Sequence, residues 1–171
     1  MYIVDLETTG LYGYPHGHVV IEISIFDSDT CTEVYHTLIN PTTYRHFRSD
    51  WKNAWIFNNT HMTPEQVLNG ISFTQARDDV ARILTHRQVS SYNTSFDLNK
   101  YLMVEPWNIQ LLAAPCIMRK FAALYNGGRL MKLQHAWEKY GPGTELNWHT
   151  ATADTYAATW LYNNKLKIFN T

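Results

Sequence analysis

The sequence predicts an α/β domain, a mixed β-sheet flanked by α-helices, and three observations predict it. β-rich runs crowd the N-terminal part of the chain, and amphipathic helical patterns take over after Thr63. One more strand-like run, residues 88–92, falls between helices, so strands and helices alternate late in the chain.

The elements follow in order. Residues 2–6 read as a short buried strand ending at Thr8-Thr9-Gly10. Residues 13–18 form a loop rich in Gly, Pro and His. Residues 19–26 and 32–39 are β-rich and flank the turn-forming Asp27-Ser28-Asp29, which predicts an antiparallel hairpin. Thr63-Pro64-Glu65-Gln66 predicts a helix start: a capping Thr, Pro at the first helical position and Gln three after the cap. Residues 73–84 repeat Phe73, Ala76, Val80, Ala81 and Leu84 at helical spacing. Residues 88–92 are a strand with a helix behind it over 95–103, and further helices cover 116–125, 130–140 and 150–162. One additional strand between these is left open.

The 171 residues fit a single domain, 1–171, and 45% apolar with 14% aromatic residues is enough for a sizeable core. No apolar run approaches the roughly 20 residues needed to cross a bilayer, so no membrane partner is expected. The start Met1-Tyr2-Ile3-Val4-Asp5 is acidic at once and lacks the basic opening of a secretory signal. Cys31 and Cys116 have no paired spacing and read as reduced thiols, which points to the cytoplasm. A net charge of −1 argues against sequence-independent coating of nucleic acid. It is compatible with an enzyme that grips a strand end through bound cations, because such a site must itself be negative.

Three acidic elements carry chemistry. Asp5 and Glu7 lie two apart on an apolar strand, so both carboxylates project from one face. Two like charges there repel and lose hydration, and a divalent cation relieves both costs. Asp97 closes Asn93-Thr94-Ser95-Phe96-Asp97, a helix opening with Asn93 or Ser95 as cap. His149 and Asp154 flank the entrance of the last helix, and Ala151, Ala153, Ala157 and Ala158 let that helix approach another element closely. Taken singly, each element has an ordinary structural explanation: a solvated strand end, an acid favoured in a first helical turn, a surface histidine.

Together they resemble the DEDDh class of 3′–5′ exonucleases, the group of the polymerase III epsilon subunit, exonuclease X, ribonuclease T and oligoribonuclease. Asp5-Leu6-Glu7-Thr8-Thr9-Gly10-Leu11 resembles the first exonuclease motif, Asn93 through Asp97 the second, and His149 through Asp154 has the spacing of the third. His61-Met62-Thr63 is similar to the class's His-x-Ile-Thr segment, Ile21-Glu22-Ile23 to its second strand, and residues 130–137 to the helix before the third motif. The chain departs from many relatives at Tyr92, where they carry His, and at Met62, where they carry a branched residue.

The resemblance implies a ribonuclease H-like sheet and a hydrolase that releases nucleoside 5′-monophosphates. It implies Asp5, Glu7, Asp97 and Asp154 as ligands of two Mg²⁺ or Mn²⁺ ions, with His149 as general base. Backbone near Thr8, Thr9, Gly10 and Leu11 would meet the terminal sugar, and Met62 and Phe96 the terminal base. Both also suit core packing, Phe96 more so, and Met62, just before a helix cap rather than inside an apolar stripe, is the better-motivated contact. The expected partner is a single-stranded nucleic-acid 3′ end, DNA before RNA. Short RNA ends, a polymerase-bound proofreading role and a non-catalytic nucleic-acid-binding module are the alternatives, and the oligomeric state is open.

Other features stay unassigned. His16-Gly17-His18 reads as a loop near the site mouth. Glu22 either faces the acidic cluster or is hydrogen-bonded beneath it. Trp51, Trp55 and Trp107 suit either core packing or a strand groove, and Arg45, Arg48 and Lys52 are candidates for phosphate contact.

Overall fold

Strands β1 (Tyr2–Thr8), β2 (Val20–Asp27), β3 (Thr32–Leu38), β4 (Gln88–Ser91) and β5 (Leu112–Ala113) form one sheet in the computed structural model, which describes residues 1–167. The order is β3-β2-β1-β4-β5. β1 pairs antiparallel with β2, and β2 with β3, whereas β1–β4 and β4–β5 are parallel, so the sheet is mixed as expected. The β2–β3 turn is held where the Asp29 amide donates to Asp27 Oδ1 at 2.8 Å, the side-chain-to-backbone bond that suits Asp to turns. β5 is the strand the sequence left open.

Strand alternation sorts the sheet into two faces. Val4, Leu6, Ile21, Ile23 and Ile25 join the larger core, covered by α1 (Trp55–Asn59), α2 (Pro64–Leu68) and α3 (Phe73–Leu84) through Ile56, Val67, Phe73, Ala76, Val80 and Leu84. Ile3 joins the smaller core on the opposite face, with residues of α5 (Ile117–Tyr125), α6 (Leu133–Tyr140) and α7 (Ala151–Leu161). In the β1–β2 register Asp5 stands opposite Ser24 and Glu7 opposite Glu22, so all four share the α7 face. A bulge between Glu7 and Thr8 ends the regular pairing just past the carboxylates.

The helices depart from the sequence reading in instructive ways. α2 has the full capping box expected at Thr63 and Gln66, yet it runs only five residues. The helix expected over 95–103 is one turn, α4 (Thr94–Phe96), running into a π-helical stretch from Asp97 to Leu102. Apolar spacing cannot distinguish the two spirals over so short a run. Here the Tyr101 hydroxyl donates to Gly10 O at 2.6 Å and Lys100 Nζ to Leu11 O at 2.7 Å, which hold the wider turn against the loop after β1. Neither Asn93 nor Ser95 caps this opening; Asn93 occupies the N-cap position without a side-chain bond. α6 starts at Leu133 rather than at residue 130, and α1 has neither a side-chain cap nor the length to show a period. Trp51 and Trp107 are buried in the larger core. Cys116 is buried and Cys31 exposed, both unpaired thiols. Among the described residues no helix is long and apolar enough to cross a membrane.

α7 lies on β1 and β2 with Ala151, Ala157 and Ala158 buried at the contact. Small side chains are what allow the helix this close to the sheet. Ala157→Leu should therefore overpack the contact and cost about 1–3 kcal/mol, read as a lowered denaturation midpoint. An unchanged midpoint would mean that α7 is not pressed against the sheet.

Candidate active site

β1 brings Asp5 and Glu7 to the α7 face, and α7 is anchored above them by Glu22. One Glu22 oxygen accepts the Ala151 amide at 3.1 Å, and the other meets His36 Nε2 at 2.8 Å. Glu22 is only 4% exposed, so of its two expected roles it takes the hydrogen-bonded one, beneath the cluster. That bond to Glu22 raises the pKa of His36. Thr150 caps the helix by accepting the Ala153 amide at 3.3 Å. Two of the amides left open at the start of α7 are thus satisfied from β2 and from the cap.

His149 precedes the cap at φ 64, the left-handed region that few residues other than glycine adopt, and its side chain is exposed. The turn aims it back at β1. One ligand atom each from Glu7, His149 and Asp154 lies within 4.8 Å of the other two. The Trp55 ring meets the His149 ring edge to face at 5.5 Å. Asp97 is buried at the junction of α4 and the π-helical stretch, where it faces Asp5.

Electrostatics identify these acids as one unit. Burial pushes the Asp5 carboxyl well up, and Asp97, Asp154, Glu7 and Glu22 push it further. Glu7 is raised by burial and then by Asp154, Glu22 and Asp97. Asp97 is pushed up to about 7 by burial, against the pull of the Ser91 hydroxyl and nearby backbone amides. Asp154 is also pushed up to about 7 by burial, with the His149 backbone pulling down and Glu22 pushing up. Asp154 Oδ1 is buried and has no hydrogen-bond partner. An unmatched buried acceptor among mutually repelling carboxylates is what a hard, oxygen-seeking divalent cation satisfies, so the residues present fit such an ion.

Beside the acids lies a cavity of about 480 Å³ lined by Leu6, Glu7, Thr8, Thr9, Gly10, Leu11, Trp55, Ile56 and Phe96. Its floor is the loop after β1. The Thr8 hydroxyl donates to Gly10 O at 2.8 Å, and Thr9 Oγ1 accepts the Val19 amide at 3.0 Å. A Cβ on Gly10 would stand 2.7 Å from the His18 ring, so a side chain there would have to displace that imidazole. His18 braces this loop through Nδ1, which accepts the Tyr12 amide at 3.0 Å.

The expected contact residues Thr8, Thr9, Gly10, Leu11 and Phe96 thus share one wall, whereas Met62 packs against the larger core and does not line the cavity. Ile56 and Leu6 line it without having been singled out, and a five-residue helix offers no periodicity that would have flagged Ile56. Trp55 is 59% exposed and is the groove-lining one of the three tryptophans. Tyr92, which departs from the resemblance, turns away into the smaller core and donates to Met131 O at 2.8 Å.

The profile of the RNase T family, described as exonuclease, matches residues 2–162. No curated protein sequence matches the chain. Among solved structures, exonuclease X in complex with 5′ overhanging duplex DNA is 20% identical with a TM-score of 0.60, over 96% of this chain and 92% of that one. E. coli exonuclease I in complex with a dA16 oligonucleotide is 17% identical with a TM-score of 0.65, over 99% of this chain and 42% of that one. A 3′-exonuclease recognising histone mRNA stem-loop is 16% identical with a TM-score of 0.65, over 98% and 81%. The fold is the ribonuclease H-like α/β fold shared by these proteins, and this chain spans less than half of the exonuclease I chain.

The raised carboxyls make stability pH-dependent. Between the usual carboxylate range and pH of about 7 the folded protein holds protons that the unfolded chain releases, so metal-free stability falls as pH rises through that window. In EDTA the Tm should drop from about pH 5 to about pH 8. Mn²⁺ should raise it more at the higher pH, where it replaces the lost protons, and Asp154→Asn should flatten the profile. A Tm independent of pH and metal would show that the acids do not act as a cluster.

Proposed function

We propose that this chain, which belongs to the RNase T exonuclease family, removes nucleotides singly from a nucleic-acid 3′ end with Asp5, Glu7, Asp97 and Asp154 as ligands of two divalent cations and His149 as general base. The observation that carries the reading is the meeting of Glu7, Asp154 and His149 beside the unmatched Asp154 oxygen, at the mouth of a cavity walled by Thr8–Leu11.

Divalent cations, Mg²⁺ or Mn²⁺ by the hardness of the oxygen donors, supply neutralisation of phosphate charge and make water more acidic. The chain's own residues do the rest. His149, exposed at the cluster with its ring in edge-to-face contact with Trp55, takes the proton of the attacking water. The water oxygen bonds to phosphorus as the bond from phosphorus to the 3′-oxygen of the preceding nucleotide breaks. The leaving 3′-oxygen takes a proton from solvent, His149 later gives its proton back to solvent, and the products are a nucleoside 5′-monophosphate and a new 3′-hydroxyl. The Thr8–Leu11 wall, with Phe96 and Trp55, holds the terminal sugar and base, and the apolar lining excludes stray water.

Single-stranded DNA is the first substrate to try, since a similar structure holds a dA16 oligonucleotide; RNA is the second, since another recognises an mRNA stem-loop. A time course on 5′-labelled DNA and RNA of one sequence should give a ladder shortening from the 3′ end, abolished by EDTA, and the relative rates decide the sugar preference. Asp5→Ala and Asp154→Ala should abolish hydrolysis, and His149→Ala should slow it about 10²–10⁴-fold. Asp5→Ala retaining most activity would overturn the ligand assignment. No cleavage of either polymer by the wild type would favour a binding module or a partner-dependent subunit.

A further inference from the structure

The chain carries a net charge of −1, and its catalytic acids repel a polyanion. Bound cations can hold the strand end, so attraction for the rest of the strand has to come from elsewhere on the surface. A second cavity, about 460 Å³, lies at the other end of the loop that floors the first. Leu11 borders the first and Tyr14 the second, and these two border residues stand three positions apart in the chain, with at most roughly 11 Å between their Cα atoms.

The second cavity is basic. Arg45, His46 and Arg77 line it against a single acid, Glu105, with Thr43, Thr74 and Tyr14 at its border, while the Phe73 ring is buried against Tyr44 at 4.2 Å. Arg45 is exposed and forms no ion pair among the described residues. Arg77 donates to Asp78 at 2.9 and 3.2 Å in an exposed pair, which solvent weakens. Arg48 forms a like exposed pair with Asp50 but lines neither cavity, and Lys52 lies over the Trp51 ring. The Tyr14 hydroxyl accepts the His46 amide at 3.2 Å, and the two rings lie 6.0 Å apart. Loop and cavity wall are therefore joined, and both cavities sit on one frame.

We infer that the Arg45–His46–Arg77 cavity is an upstream phosphate subsite, which receives the backbone of a single strand a few nucleotides to the 5′ side of the bond being cut. The inference rests on the exonuclease reading for the position of the 3′ end. Guanidinium groups match phosphate oxygens in pairs of hydrogen bonds, which recognises the backbone whatever the bases. Such a subsite separates holding the strand from cutting it, and it rewards length, because a strand too short to span both cavities gains nothing from it.

The test compares the wild type with Arg45→Ala/Arg77→Ala and with a control that removes the same charge elsewhere, Arg129→Ala/Lys139→Ala. Anisotropy of a 5′-fluorescein twelve-nucleotide oligothymidylate is measured in EDTA across about 50–200 mM salt, where phosphate contacts dominate affinity. Hydrolysis of that oligonucleotide and of a thymidine dinucleotide is measured with Mn²⁺. The Arg45/Arg77 variant should bind the long strand about tenfold more weakly, with a salt slope shallower by roughly 0.7 for each phosphate lost. Its KM should rise on the long strand alone, with kcat and dinucleotide turnover unchanged, and Glu105→Gln should tighten long-strand binding. Behaviour equal to the control on the long strand, or equal losses on both lengths, overturns the subsite. If the wild type cuts neither strand, the exonuclease reading fails while the binding arm still decides whether these arginines hold the polymer.

Discussion

The site depends on one hydrogen bond, from the Ala151 amide to the carboxylate of Glu22. Asp5 and Glu7 come from the first strand, whereas His149 and Asp154 come from the last helix, with nearly the whole chain between them. Nothing local brings them together. Glu22 does, because it stands opposite Glu7 in the β1–β2 register and receives the first turn of α7 directly. The helix start is thereby registered to the strand that carries the acids. Its second oxygen is occupied by His36 from β3, so three elements converge on one buried carboxyl.

This arrangement works against electrostatics. Glu7 and Glu22 face each other across the ladder, and Asp5, Asp97 and Asp154 crowd the same region. Like charges placed directly opposite destabilise a sheet, and burial adds a desolvation cost. The fold offsets that cost with two apolar cores, one on each face, and with the close seat that alanines give α7. Burial and mutual repulsion raise the carboxyls of Asp5, Glu7, Asp97 and Asp154, and a bound cation would relieve both costs.

The loop from Gly10 to His18 links the chemistry to the polymer. It is fixed from one side by Lys100 and Tyr101 of the π-helical stretch and from the other by Tyr14 against His46. The same stretch begins with Asp97, so the residue that completes the acidic cluster and the residues that hold the cavity floor belong to one turn of backbone. A π-helical turn carries Tyr101 and Lys100 to this loop, a use consistent with the tendency of such turns to occur at functional sites.

The sequence by itself determined the fold class, the hairpin and the cap of α2, because these are written in local period and turn chemistry. The grouping of Asp5, Glu7, Asp97, His149 and Asp154 came from the resemblance of its motifs to the DEDDh class. Strand alternation already put Asp5 and Glu7 on one face. Only the tertiary structure decided the rest. The role of Glu22 depends on a helix contributed from far along the chain, and the fates of Trp51, Trp55 and Trp107 depend on which side of the larger core each short segment takes. Met62, just before a helix cap, read as the better base contact of the two, but only Phe96 lines the cavity, because α4 carries it to the loop after β1. The π-helical turn was illegible for a simpler reason: over six residues its apolar pattern fits either spiral, and the bonds that select it come from another part of the chain.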